Sequence, residues 1–261
     1  MMKRKLTVFL SVISIVLFTQ FAYAVEDPSP TTRLDAIKDR MEQKKEEVEQ
    51  KVQEVKDDIL TAAKERFGNH IDKVLDYLAN FETRLKADVY LTDAQKSAAS
   101  ADIAAIVSQV KDLSSQITSS EDRTSFSDLA GQVRELWQQA IDVHRKYVGL
   151  HLVGHFDNYF ENLELVTNRV QIRINLLSGQ GLDVSTLQRQ LDSFDQSIAS
   201  AKQLVTQAKA QFNSIIPGSG NSATLWNTGM AQIREAKAMV HSAVDAVREA
   251  ILTIQNEYLE Q

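Results

Sequence analysis

Cysteine is absent from this chain, so no disulfide framework, thiolate nucleophile or lipid-modified cysteine enters any account of it. Proline occurs three times and glycine nine times in 261 residues. Turn chemistry is therefore scarce, and no convincing strand alternation is found anywhere, which excludes a sheet-based architecture. After the first two dozen residues no stretch is long and apolar enough to span a bilayer. No Lys/Arg-rich face stands out either. The formal net charge is -6, a balance that repels phosphate backbones and anionic headgroups, so nucleic acid is excluded as a partner.

What is present begins with MMKRKLTVFLSVISIVLFTQFAYA (1–24). Its basic start at Lys3, Arg4 and Lys5, its apolar run from Leu6 to Phe18 and the small Ala22 and Ala24 around Tyr23 form the three-part pattern of a secretory signal peptide. Cleavage after Ala24 removes three basic residues and no acid, taking the formal charge to -9. The rival outcome is an uncleaved anchor, the one membrane contact the sequence provides for. Either way the chain is expected to be exported, to periplasm, cell surface or medium.

The remainder is rich in Ala, Leu, Gln, Lys and Glu, strong helix formers. Helices are expected at about 31–90, 93–118, 125–178, 184–214 and 223–259. Two of them open on capping boxes, Thr92 with Gln95 and Ser185 with Gln188. In the first helix Phe67, Ile71, Val74, Leu78, Phe81 and Leu85 step by four and three, the seam of a helix packed lengthwise on its neighbours. In the third, Leu136, Ala140, Val143, Tyr147 and Leu150 keep that rhythm. It resumes at Val153, Phe156, Phe160 and Leu163 after a step of three where four was due. Such a slip turns the apolar face while the helix continues, so its two halves can serve different cores.

A duplication is expected from this pattern. His70, Asp72, Asp76, Leu78 and Arg84 align at constant offset with His155, Asp157, Glu161, Leu163 and Arg169, and QVRE (132–135) aligns with QIRE (232–235) after a small drift in offset, as expected if loops have changed length. The expected architecture is all-α and elongated: two tandem three-helix bundles sharing a long central helix, with a projecting N-terminal coiled-coil-like helix. Its segments are a signal peptide (1–24), a linker and charged helical extension (25–66), and three-helix units at 67–150 and 151–261. Sharing a central helix resembles spectrin repeats in topology, with Trp137 and Trp226 in the third-helix regions but no spectrin signature residue by residue. RVQIRINLLSGQGLDVSTLQRQLDSFDQSIASAKQLVTQA (169–208) resembles the helix, Gly-Leu-Asp turn, helix hairpins of uncharacterised exported proteins from uncultivated bacterial lineages. The resemblance implies an exported helical fold and carries no site residues.

The segment 38–58 is dominated by charge, with a thin stripe of Met41, Val48, Val52, Val55 and Ile59. Glu47 and Lys51, four apart, support the helix. The stripe is too narrow for a core of its own, so residues 31–66 form either a spacer or a seam that pairs with a second copy as a homodimer.

Chemical signals are few. His151-Leu-Val-Gly-His155 places two imidazoles one turn apart, a spacing that can hold zinc or copper. Asp157 or Glu161 would be the further oxygen ligand. Leu152 stands where a zinc-protease helix carries its general base, so hydrolysis by that route is unsupported. The plainer reading makes His151 a surface residue and His155 a boundary residue. Gly218-Ser-Gly220 has part of a dinucleotide fingerprint but follows a helix and is expected to be an interhelical loop. Trp137, Tyr147, Phe156, Tyr159 and Phe160 are expected to pack in the core, with Tyr159 off the seam. No nucleophile elbow or paired catalytic carboxylate can be assigned, and no cofactor is implied. The reading is a non-enzymatic exported scaffold, spacer or interaction module that meets protein partners through helical faces. The alternative is a metal-binding helical protein using His151 and His155.

Overall fold

The computed structural model describes residues 30–258, with side-chain environments over 34–254. The expected signal peptide lies outside the described residues. Five helices follow in order: α1 Pro30–Ala87, α2 Asp93–Ser119, α3 Arg123–Gly179, α4 Ser185–Asn213 and α5 Ser222–Tyr258. Among the described residues there is no strand, so the fold is all-α. No helix there is long and apolar enough to cross a membrane.

Local chemistry sets the helix ends. Thr92 and Gln95 form the expected capping box: the Thr92 hydroxyl accepts from the Gln95 N–H, and Gln95 Oε1 accepts the Thr92 N–H at 2.8 Å. Helix α3 starts two residues earlier than expected because the Asp122 carboxylate accepts the N–H groups of Thr124 (2.8 Å) and Ser125 (2.9 Å). Helix α1 stops at Ala87 rather than 90, since Asp88 Oδ1 accepts the Tyr90 N–H at 2.8 Å and turns the chain there. The second expected capping box does not form. Val184 occupies the N-cap of α4 without a side-chain cap, and Asp183 Oδ1 takes the Ser185 N–H at 3.0 Å. Gln188 turns instead to Gln171 on α3, with which it exchanges two amide hydrogen bonds of 3.0 and 3.2 Å.

The chain divides into two compact units between Ile59 and Leu60. In the first, every residue from 34 to 59 is exposed. Its internal support is i,i+4 pairing: Lys51 Nζ to Glu47 at 2.7 Å, Lys45 to Glu49 at 3.9 Å, and Gln53 to Asp57 at 2.9 Å. Lys51 holds the Glu47 carboxyl below its ordinary range.

The second unit holds one connected apolar cluster. Helix α2 contributes Ala99, Ile103, Ile106, Val110, Leu113 and Ile117 to it, an unbroken four-three rhythm. Helix α4 contributes Leu187, Leu191, Phe194, Ile198, Ala201, Val205, Ala208 and Phe212 in the same rhythm. The α1 seam buries Ile71, Leu78, Phe81 and Leu85, with Phe67 and Val74 half-buried. Along α3 the buried set runs Tyr147, Leu150, Val153, Phe160, Leu163, so the slip at 150–153 is in the structure. Near it the helices close tightly: the buried Phe212 ring lies where a Cβ at either Gly149 of α3 or Gly229 of α5 would stand. Helix α4 packs on both α3 and α5, and α2 packs on α3. Trp137 departs from the expected core placement, with 36% of its surface exposed, whereas Tyr147 and Phe160 are buried and Phe156 packs at the core's edge. Trp137 sits one residue beyond buried Leu136, which takes the inward position in that turn. Tyr159 is off the seam and exposed, as its register dictates.

Candidate functional site

The His151-Leu-Val-Gly-His155 segment lies where α3 meets the turn between α1 and α2. Asp88, which turns the chain with one carboxylate oxygen, places the other 2.6 Å from His151 Nδ1. The Tyr90 ring stands edge-on to both imidazoles, at 5.4 Å from His151 and 5.0 Å from His155. Gly154 faces the Tyr90 backbone carbonyl so closely that a Cβ there would overlap it. Leu91 is buried directly after. The three named residues of the motif thus act together: His151 holds the turn by a hydrogen bond, Gly154 admits its backbone, and His155 covers Tyr90.

A third imidazole belongs to the same helix face, two turns before His151. His144 Nδ1 is 2.6 Å from the Tyr77 hydroxyl, and its ring lies 4.7 Å from Phe81. Burial lowers the pKa of His144, with Arg145 adding to the effect. A neutral imidazole can accept the Tyr77 proton at Nδ1, and burial also raises the pKa of Tyr77, so both partners favour their uncharged forms. The sequence pattern pointed to His151 and His155 alone. His144 has no His, Asp or Glu three or four positions away in the sequence, and its partner Tyr77 lies on another helix.

Two buried polar groups fix the neighbouring turns. Asp142, 2% exposed, accepts the Gly218 N–H at 3.1 Å and pairs with Arg145 at 3.2 Å. This ties the loop between α4 and α5 to α3. Gly218 has φ +80°, a left-handed conformation that glycine adopts at little cost. The Gly218-Ser-Gly220 segment is accordingly an interhelical loop. One turn further along α3, Tyr147 donates to Asp102 Oδ2 of α2 at 2.8 Å, while burial first and Asp102 second raise its pKa.

Chemically this region is equipped to hold helices together. Among the described residues no three His, Cys, Asp or Glu side chains converge to hold a metal ion. Asp157 and Glu161, the expected oxygen ligands, are exposed, while His151 is engaged by Asp88. His70, the counterpart of His155 in the first copy, is exposed beside an open groove between α1 and α3. Compared with models of known families, with curated proteins and with solved structures, the chain matches none.

Proposed function

We propose that this protein is an exported, non-enzymatic helical scaffold and interaction module of the cell envelope or extracellular space, which works by offering apolar helix faces to other helices. Export rests on the tripartite N-terminus, and the internal plan is two tandem three-helix bundles sharing α3. In support of that plan, the contacts of the α1–α2 turn fall on His151–His155, near the point where the seam slips.

The observation that carries the reading is the stripe on the first unit. Leu34, Ile37, Met41, Val48, Val52, Val55 and Ile59 are 40% to 68% exposed and recur at steps of three, four and seven. Leu34, Met41, Val48 and Val55 keep a strict seven-residue period, the seam of a two-stranded coiled coil. An isolated helix leaves that apolar surface in water, and pairing removes it at roughly 25 cal/mol per Å².

A second copy of the chain is the partner this stripe fits best, running antiparallel. Residues 34–45 carry Lys38, Arg40, Lys44 and Lys45 against Asp35, Asp39 and Glu42, a net of +1. Residues 46–59 carry six acids against Lys51 and Lys56, a net of -4. Antiparallel pairing sets the basic half on the acidic half, and parallel pairing sets like on like.

Site-specific photocrosslinking in the producing cell tests the reading. A photoreactive residue in place of Met41, on the stripe, is expected to yield a defined protein adduct, and one in place of Glu46, on the opposite face, none. Absence of any adduct from position 41 would sink the proposal.

A further inference from the structure

A groove of about 420 Å³ opens between α1 and the N-terminal part of α3, a volume within the ordinary range for small-molecule sites. Its floor is the buried pair Ile71 and Val133, and its walls are the half-buried Phe67 and Val74. Trp137 closes one end, held edge-on to Tyr77 with ring centroids 5.5 Å apart. The indole is thus fixed in place yet more than one-third exposed. At the mouth stand Lys73, Arg134 and His70, and no acidic residue lines the groove.

The charge at the mouth is the informative part. Acidic residues outnumber basic ones in the chain, 35 to 29, yet the lining of this groove carries two cations and no acid. Lys73 and Arg134 have no ion pair or side-chain hydrogen bond within the described residues. Two unpaired cations over an apolar, aromatic-walled cavity match a ligand with an anionic head and an apolar body. A cationic ligand would be repelled, and a neutral apolar one would leave the Arg134 fork without its best acceptor.

A docking helix fits less well. Helix-in-groove recognition uses anchors at i, i+3, i+4 and i+7 along an extended apolar track. On this face Trp137 is the one large apolar side chain that is strongly exposed. A single aromatic spot flanked by cations suits a compact ligand.

We infer that the α1–α3 groove is a binding site for an amphipathic carboxylate, an alkyl or aryl acid whose apolar body lies against Trp137 and whose carboxylate is held by Arg134 and Lys73. This site lies within the second unit and is independent of the pairing stripe at 34–59.

Trp137 supplies the readout. In the full chain with Trp226→Phe it is the sole tryptophan, and dodecanoate below its micelle-forming concentration is the probe. Saturable change in Trp137 emission is expected, with dodecanol and dodecyltrimethylammonium each binding at least tenfold more weakly. The double substitution Lys73→Gln and Arg134→Gln is expected to weaken dodecanoate binding at least tenfold, with the far-ultraviolet circular dichroism unchanged. Because both side chains are surface groups, that variant is expected to fold. No saturable response, an equal response to the three probes, or undiminished binding by the double variant would each overturn the assignment. A Trp137 response to a protein partner alone, with none to dodecanoate, would overturn it too and give the groove to that partner.

Discussion

At the scale of single residues, Gly154 carries the tightest steric demand near the α1–α2 turn. Its partner is the Tyr90 backbone carbonyl, which cannot swing aside as a side-chain tip does. Gly154→Ala is expected to destabilise the fold by about 1–3 kcal/mol, the usual cost of overpacking. The helical Gly68 and Gly131 have open space where a Cβ would go, so Ala at either is expected to be neutral or stabilising by up to roughly 1 kcal/mol. Urea unfolding of the three variants makes the comparison. His144 gives a pH signature. Its lowered pKa means that, below the ordinary value near 6.5, the unfolded chain takes up a proton that the folded chain resists. Stability from neutral His144 is therefore complete above about 6.5 and is lost as the pH falls through the folded value. Urea midpoints are expected to drop between pH 7.5 and 5.5, with a shallower drop in His144→Gln; an unchanged slope would remove His144 as the cause. The HLVGH motif was visible in the sequence, but its purpose was not. Its partners Asp88 and Tyr90 lie some sixty residues earlier, and only the fold brings them to it.

At the scale of elements, seams were the most readable feature, because burial on a helix follows a 3.6-residue period and leaves its rhythm in the sequence. Ile71, Leu78 and Leu85 on α1, and Tyr147, Leu150, Val153 and Phe160 on α3, are buried as the spacing required. A separation of 100 residues links Val133, Leu136 and Ala140 with Ile233, Ala236 and Val240, all buried, in and just after the repeated QVRE and QIRE segments. Ends were less readable. Ser185 and Gln188 had the right spacing for a capping box, yet Gln188 found a partner across the helix interface, which outcompetes a local bond that only spacing suggests. Trp137 was misplaced for a related reason: neighbouring positions 136 and 137 are both apolar, and Leu136 takes the inward one. For the first unit, strand direction in the paired state is testable because the chain has no native cysteine. In an antiparallel pair Leu34 of one copy lies near Ile59 of the other. Oxidising a mixture of Leu34→Cys and Ile59→Cys chains is expected to yield the mixed disulfide, whereas Leu34→Cys alone remains unlinked. Efficient linking of Leu34→Cys to itself would indicate a parallel pair.

At the scale of the whole molecule, polar side chains that meet between helices support the packing. Two of its polar groups, the buried Asp142 and the Tyr147 hydroxyl, tie a loop and a helix to α3. Its histidines on α3 touch Tyr77, Asp88 and Tyr90. Apolar side chains stay exposed on the helices, in the 34–59 stripe of the first unit and at Leu165, Ile172 and Leu176 on α3 of the second, the last three each more than half exposed. Partners met through such faces leave no motif in a sequence, since any helix of matching shape and charge satisfies them. The proposal of export rests on residues 1–24, which lie outside the described residues. The central claim is that the exposed heptad stripe is an association surface, and light scattering of residues 25–261 over a range of concentrations tests it most directly. A mass of two chains is expected, falling to one in Met41→Glu with Val48→Glu, while helix content stays the same. A single-chain mass for the native protein at every concentration, or a dimer untouched by the two substitutions, would contradict it.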